Sequence, residues 1–241
     1  MTEVWLGIDT GDCSELNDEW AGRLLTGASG GCFRGSAPYH AWVMDSPYVS
    51  RGGVKLAAAL DAFAVDAAGY VCADLGCNVG GFTDCLLQRG AAKVYAVDTG
   101  YGTLDWRLRN DERVHVLERT NALHFDPQTL DGFEGCDLVC VDLGWTRQRH
   151  AIPAALRWLK IDGGRIVTLI KPHYEADDQA LRSADRGVLP PEAAQRIFEA
   201  AIQSLPALGV HVAATMPSPI RGGAGKGRQG NVEYLAMLVR G

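Results

Sequence analysis

Four charged residues stand where a folded chain does not place charge without cause. Lys55 lies at the start of a helical stretch with mostly apolar neighbours, Val54-Lys55-Leu56-Ala57-Ala58-Ala59-Leu60. Asp142 ends the apolar run that begins at Leu138, and Lys171 ends the run Ile166 to Ile170. Glu233 sits just inside a last apolar run, in Gly230-Asn231-Val232-Glu233-Tyr234-Leu235. Charges at the carboxyl ends of adjacent buried strands converge on one crevice. Desolvation there is costly unless opposite charges pair, so each lysine is expected beside an acid. Taken singly, each lysine reads as a solvated surface charge; the argument lies in the four together.

A second cluster surrounds a glycine-rich turn. Asp74-Leu75-Gly76-Cys77-Asn78-Val79-Gly80-Gly81-Phe82-Thr83 closes one strand pattern and opens a helix. Glycine lets backbone approach a ligand, and the helix start offers unpaired N–H groups. The spacing is G-x-x-x-G-G, not the G-x-G-x-x-G of a dinucleotide fold, and no Gly-Lys-Ser/Thr marks a phosphate loop. Asp74, just before the first glycine, suits the amino and sulfonium end of S-adenosylmethionine and disfavours a pyrophosphate. Asp98, at the end of the next strand, is expected to accept from both hydroxyls of a ribose. Asn121, after the third, is expected at an adenine edge, with a turn-forming role as the alternative.

The elements that must hold these residues alternate. Strands are expected at residues 70–75, 93–97, 114–117, 138–143, 165–170, 210–214 and 232–239. Helical patterns fill most gaps, at 54–63, 83–89, 151–160 and 192–205. Such alternation implies a mostly parallel sheet covered on both faces, an α/β fold. The 241 residues are 47% hydrophobic and 22% charged, enough for one sizeable core. No apolar run approaches the roughly 18 residues of a membrane span. The acidic start lacks the pattern of a secretory signal, so a cytoplasmic protein is expected. Seven cysteines form no CxxC pair and several lie in apolar runs, which reads as reduced core thiols rather than disulfides or a zinc site. Cys136 and Cys140 are expected on one face of their strand. His173-Tyr174-Glu175 echoes the H-x-E of zinc deaminases, but the partner P-C-x-x-C is absent and no metal is expected.

Several stretches together carry a resemblance. Tyr48-Val-Ser-Arg-Gly-Gly-Val-Lys55, Gly80-Gly-Phe-Thr-Asp-Cys-Leu-Leu-Gln-Arg-Gly90 and Val97-Asp-Thr-Gly-Tyr-Gly102 resemble the hemolysin-A-like branch of FtsJ-type methyltransferases. So do residues 104–109, 113–121, Lys171-Pro172, Ser218-Pro-Ile220 and Gly230-Asn-Val-Glu233. The likeness spans roughly residues 47–240. It implies a seven-stranded Rossmann-like sheet with the last strand antiparallel, S-adenosylmethionine as methyl donor, and ribose 2′-O-methylation of RNA, ribosomal RNA in particular. It also implies a Lys-Asp-Lys-Glu tetrad, which falls on Lys55, Asp142, Lys171 and Glu233. The donor loop then comprises Asp74, Gly76, Cys77, Asn78, Gly80, Gly81, Phe82 and Thr83, with Asp98, Asn121 and Asp142 around it.

The chain departs from that pattern in places. Residues 1–47, an N-terminal extension ahead of a domain at 48–241, do not resemble the small S4 RNA-binding domain usual in the family. The family's Asp-Val-Ser-Phe-Ile-Ser is here Asp142-Leu-Gly-Trp-Thr-Arg147, its Lys-Pro-Gln-Phe-Glu is Lys171-Pro-His-Tyr-Glu175, and its Ala-Ser-Thr is Cys77-Asn-Val79. The net charge of −6 argues against non-specific coating of nucleic acid. RNA contact is therefore expected from a local set: Arg51, Trp145, Arg147, Arg221, Lys226 and Arg228, with Trp145 stacking on a base and the cations gripping phosphates. The alternatives are a relative that binds RNA or ribosomes without turnover, and a membrane-active hemolysin, against which the absence of an exposed amphipathic helix weighs.

Overall fold

The structure, a computed structural model, describes residues 46–177, 180–181, 184, 187–223 and 230–241. The extension expected at 1–47 lies almost wholly outside the described residues, as do Lys226 and Arg228.

Seven strands form one sheet in the order β3-β2-β1-β4-β5-β7-β6. They are β1 (Val71–Leu75), β2 (Lys93–Val97), β3 (Val114–Leu117), β4 (Leu138–Val141), β5 (Arg165–Ile170), β6 (Val210–Pro217) and β7 (Tyr234–Arg240). β1 to β5 pair in parallel, while β7 runs antiparallel between β5 and β6. The α-helices bounded among the described residues are α1 (Arg51–Ala62), α2 (Gly81–Gln88), α3 (Trp106–Arg109), α4 (Gln148–Trp158), α5 (Pro172–Glu175) and α6 (Pro191–Ser204).

Side chains alternate across a strand, so a sheet buried on both sides needs apolar residues at both parities. In β4, Leu138 and Cys140 pack with Leu56 and Leu60 of α1 and Leu86 of α2. Val139 and Val141 face the other way, toward Ile152 and Trp158 of α4 and Phe198 of α6. Trp158 anchors that second core, stacked on Phe125 and edge-on to Phe133.

The expected strands at 93–97, 114–117 and 165–170 match the observed bounds. The strand expected at 138–143 stops at Val141, because Asp142 and Leu143 turn over the ligand-facing edge. That expected at 210–214 continues to Pro217, held by its pairing with β7. Two four-residue helices, α3 and α5, are shorter than any periodicity reveals; the start of α3 is marked by Asp105, whose side chain accepts from the Arg107 N–H. The five described cysteines are free and buried. Cys136 and Cys140, however, lie in opposite cores. Cys136 precedes β4 and pairs in an isolated bridge with Leu159, so strand alternation does not carry back to it.

Candidate active site

The carboxyl ends of β1 and β4 and the starts of α1 and α2 surround an open cleft lined by Ser50, Arg51, Gly52, Lys55, Asp74 and Gly76 to Asn78, with Gly81, Phe82 and Asp142. Its cavity volume is about 210 Å³, below the roughly 300–1,000 Å³ of enclosed small-ligand sites, because the cleft is shallow and opens to solvent.

Two lysine–acid pairs stand at the cleft. Lys55, 9% exposed, reaches from the first turn of α1 to the Oε2 of Glu233. Lys171, at the end of β5, lies 2.5 Å from Asp142 Oδ1 and 5.3 Å from the ring centre of Tyr174. Burial alone would lower the Lys171 pKa. The Asp142 carboxylate beside it, with Glu233 further off, more than reverses that, and the net shift is upward. Lys171 therefore keeps its proton. His173, on α5, is pushed down to about 4 by burial and by the charges of Lys171 and Lys55, so its imidazole is neutral.

On the donor-loop side, Asp74 is fully buried at the end of β1. Its Oδ2 accepts from both the N–H (2.9 Å) and the hydroxyl (2.7 Å) of Thr83, while Oδ1 has no partner. Burial raises its pKa to about 7, against the Thr83 hydrogen bonds, and the neighbouring Asp142 and Asp98 add to the rise. A buried carboxylate oxygen left without a donor is a costly arrangement unless a ligand supplies one.

The loop glycines serve the protein's own close contacts as much as any ligand. Gly76 has φ +93°, and a β-carbon there would lie 2.6 Å from the Asp142 carbonyl oxygen. At Gly81 it would lie 2.2 Å from Ser50 Oγ and 2.8 Å from Gly53 N. These approaches draw the loop onto β4 and α1 and so close two walls of the cleft.

Other expected residues fall around this centre. Asp98 accepts from the Asn78 N–H (2.8 Å) and the Gly100 N–H (2.7 Å), one on each carboxylate oxygen, which fixes its orientation and leaves one lone pair per oxygen for a ligand. Asn121 is exposed, and its side-chain oxygen accepts from the Leu123 N–H, which is the turn-forming arrangement. Trp145 is 89% exposed on a left-handed residue (φ +56°), its ring stacked 5.1 Å from that of Tyr174. Arg147 donates to the carbonyls of Tyr174 and Ala176, so it clamps the end of α5. Arg51 lines the cleft and Arg221 is exposed, donating weakly to Gly230 O. Ser50 and Gly52 in the cleft wall, and Tyr174 against both Lys171 and Trp145, lie in stretches singled out in the sequence, but no role could be read for them individually. The N–H of Gln148 donates to Glu175 Oε1, and its side chain bridges Thr168 and the Leu169 carbonyl, bracing the end of β5.

Compared with known proteins, residues 48–237 match the family model described as FtsJ-like methyltransferase. The chain belongs to that family. Among its relatives, this FtsJ-like methyltransferase is 42% identical over 192 residues to the 16S/23S rRNA (cytidine-2′-O)-methyltransferase TlyA of Mycobacterium tuberculosis, covering 79% of this chain and 68% of that protein. It is 34% identical to a protein named Hemolysin A of Brachyspira hyodysenteriae, covering 82% and 79%. A solved structure from Lactococcus lactis, provisionally called a hemolysin, is 35% identical with a TM-score of 0.71, covering 79% and 88%. No helix among the described residues is long and apolar enough to cross a membrane.

The methyl donor of this FtsJ-like methyltransferase is S-adenosylmethionine, and the cleft fits it. The buried, unpartnered Asp74 oxygen in the cleft wall would suit a cationic amino or sulfonium group, and Asp98, bonded to the Asn78 N–H of the same loop, would be available to sugar hydroxyls.

Proposed function

We propose that this protein methylates a ribose 2′-hydroxyl in RNA, with ribosomal RNA as the substrate class. The observation that carries this reading is the two lysine–acid contacts, the buried Lys55–Glu233 and the half-buried Lys171–Asp142, each with one member in the cleft wall. The 42% identity to an rRNA cytidine-2′-O-methyltransferase supports the same substrate class.

The bound donor supplies a methyl group already activated by its positive sulfur. What the protein must add is alignment of a weak nucleophile and an environment that eases loss of its proton. Lys171, held as an ammonium by Asp142, offers a fixed positive charge to the attacking oxygen. That charge favours the alkoxide-like form of the hydroxyl, whose proton passes to solvent through the open cleft as the methyl moves from sulfur to oxygen. A role for Lys171 as the base is disfavoured, since a base would need its pKa depressed. Lys55, oriented by Glu233, places a second positive charge on the far wall and helps seat the ribose.

RNA is held, in this reading, by the exposed ring of Trp145, by Arg51 in the cleft wall and by the exposed Arg221; Lys226 and Arg228, outside the described residues, are added to this set from the sequence alone. Base stacking on an exposed aromatic is worth about 1–3 kcal/mol per base and tolerates any base. Arg147 contributes less directly, by fixing the segment that carries Tyr174 beneath Trp145.

Transfer of labelled methyl from the donor to total RNA, followed by digestion to nucleosides, tests the proposal. Label in 2′-O-methyl nucleosides, lost in Lys171→Ala, supports it. Label on bases, or tight RNA binding with no transfer, would replace it with base methylation or with a non-catalytic binding role. Vesicle leakage in place of transfer would favour a membrane-active protein.

A further inference from the structure

Glu233 owes its place to a small knot of chain that the mechanism above does not use. Gly222 and Asn231 exchange both backbone hydrogen bonds, Gly222 N–H to Asn231 O at 3.0 Å and Asn231 N–H to Gly222 O at 2.9 Å. This single antiparallel bridge joins the two ends of the basic, glycine-rich segment. The Asn231 side chain ties the bridge down, accepting from the Leu189 N–H and donating to the Gly187 carbonyl, each at 2.9 Å. Two residues on, the Glu233 carbonyl accepts from the Ser218 N–H at 2.8 Å, which fixes its backbone from the other side.

The Glu233 side chain then folds back under the bridge. A β-carbon on Gly222 would lie 1.7 Å from Glu233 Oε1 and 2.3 Å from its carboxyl carbon. Gly222 does not have a positive φ, so glycine is required there by space and not by backbone conformation. One carboxylate oxygen thus rests against the Gly222 backbone while the other holds Lys55.

We propose that Gly222, braced by Asn231, is a positioning residue that sets the Glu233 carboxylate and through it the Lys55 ammonium. The inference rests on the reading that the Lys55–Glu233 pair serves methyl transfer. It adds that the bridge, and not the pair alone, determines where that charge sits. Any side chain at 222 displaces the carboxylate, because the neighbouring backbone is held by five hydrogen bonds and the carboxylate by one ion pair.

The test compares Gly222→Ala, Glu233→Ala and the double variant by apparent kcat with saturating total RNA, donor affinity by calorimetry, and labelling of Lys55 by an amine-acylating reagent. Misplacement of a reacting group by about 1 Å costs on the order of 100-fold, so Gly222→Ala should lower apparent kcat by about 10- to 100-fold with donor affinity held within about threefold. In the Glu233→Ala background the truncated side chain vacates the space, and adding Gly222→Ala should change apparent kcat by less than about twofold. An equal loss in both backgrounds, or full kcat in Gly222→Ala, would overturn the proposal. If Glu233→Ala itself keeps full kcat, the catalytic reading of the pair fails separately. Labelling of Lys55 then decides the positioning claim: faster in Gly222→Ala than in the parent supports it, and equal rates refute it. Asn231→Ser removes the two side-chain tethers without adding bulk, and guards against misfolding of the alanine variant. It should show a milder form of the same split, about 3- to 10-fold in kcat, and parallel loss of donor affinity would count against the inference.

Discussion

Replacing Asp74 by asparagine should weaken donor binding and strengthen the fold at the same time. In the free protein the Asp74 carboxyl titrates near pH 7, because burial opposes its charge and one oxygen has no donor. A cationic donor beside that oxygen favours the carboxylate, so binding must release the proton wherever Asp74 begins protonated. With a pKa of about 7, Asp74 is about 75% ionised at pH 7.5 and about 3% at pH 5.5. Donor affinity should therefore fall about 25-fold between those values, about 1.9 kcal/mol, with about three quarters of a proton released per donor bound at pH 6.5. Calorimetric titration in two buffers of different ionisation enthalpy reads both quantities. In Asp74→Asn the affinity at pH 7.5 should drop while its pH slope and the released proton vanish. The stability effect has the opposite sign. An acid whose pKa is raised on folding costs stability above its unfolded value, so thermal unfolding of Asp74→Asn should occur at higher temperature at pH 7 and above. That advantage should shrink as pH falls and disappear below about pH 4. A flat affinity between pH 5.5 and 7.5, or an unchanged slope in the asparagine variant, would refute the assignment of Asp74 to the donor's cationic end.

Other outcomes follow from the same geometry. Lys171→Ala should lower methyl transfer by about 100-fold or more while donor affinity changes by less than about twofold; parallel loss of donor binding would show that it acts on the cofactor instead. Trp145→Ala should weaken RNA binding by about 1–3 kcal/mol, leaving donor affinity and thermal stability intact, as measured by filter binding and calorimetry. Arg147→Ala should destabilise the fold by about 1–3 kcal/mol through its lost bonds to Tyr174 and Ala176, with an unchanged salt dependence of RNA affinity; a slope shallower by about one would mark it as a phosphate contact after all. Gly76→Ala, at a positive φ and against the Asp142 carbonyl, should lower the unfolding temperature and donor affinity together.

The sheet was legible in the sequence because its strands are continuous apolar runs closed by charge or glycine. Lys93–Val97 and Arg165–Ile170 are bounded on both sides by residues that cannot continue a buried strand. The two lysine–acid pairs were legible for the same reason, since each charge ends or abuts such a run. The partner choice was not, because Lys55 and Glu233 meet only through the insertion of β7 between β5 and β6. The glycines were legible as a turn, but the contacts that exclude their side chains come from Asp142 and Ser50, far off in sequence. Arg147 shows the converse: its charge suggested phosphate, and only the fold reveals the two carbonyls that occupy its donors. The observed bond of Asn121 to the Leu123 N–H is the turn-forming alternative stated from the sequence, whereas Tyr174 is decided by Trp145, a loop away, which no spacing rule reports.

The position of β7 bears on how the protein comes to function during synthesis. Lys55 and Glu233 are 178 residues apart, and the strand that follows Glu233 is the last of the sheet to leave the ribosome. Until it slots between two strands already made, a buried ammonium lacks its counter-ion and the glycine bridge has no far side. Donor-loop and core contacts can form earlier, from the parallel half alone. A chain released short of residue 233 would thus leave Lys55 without its acid partner, and under the proposed function the site would be completed in one late step.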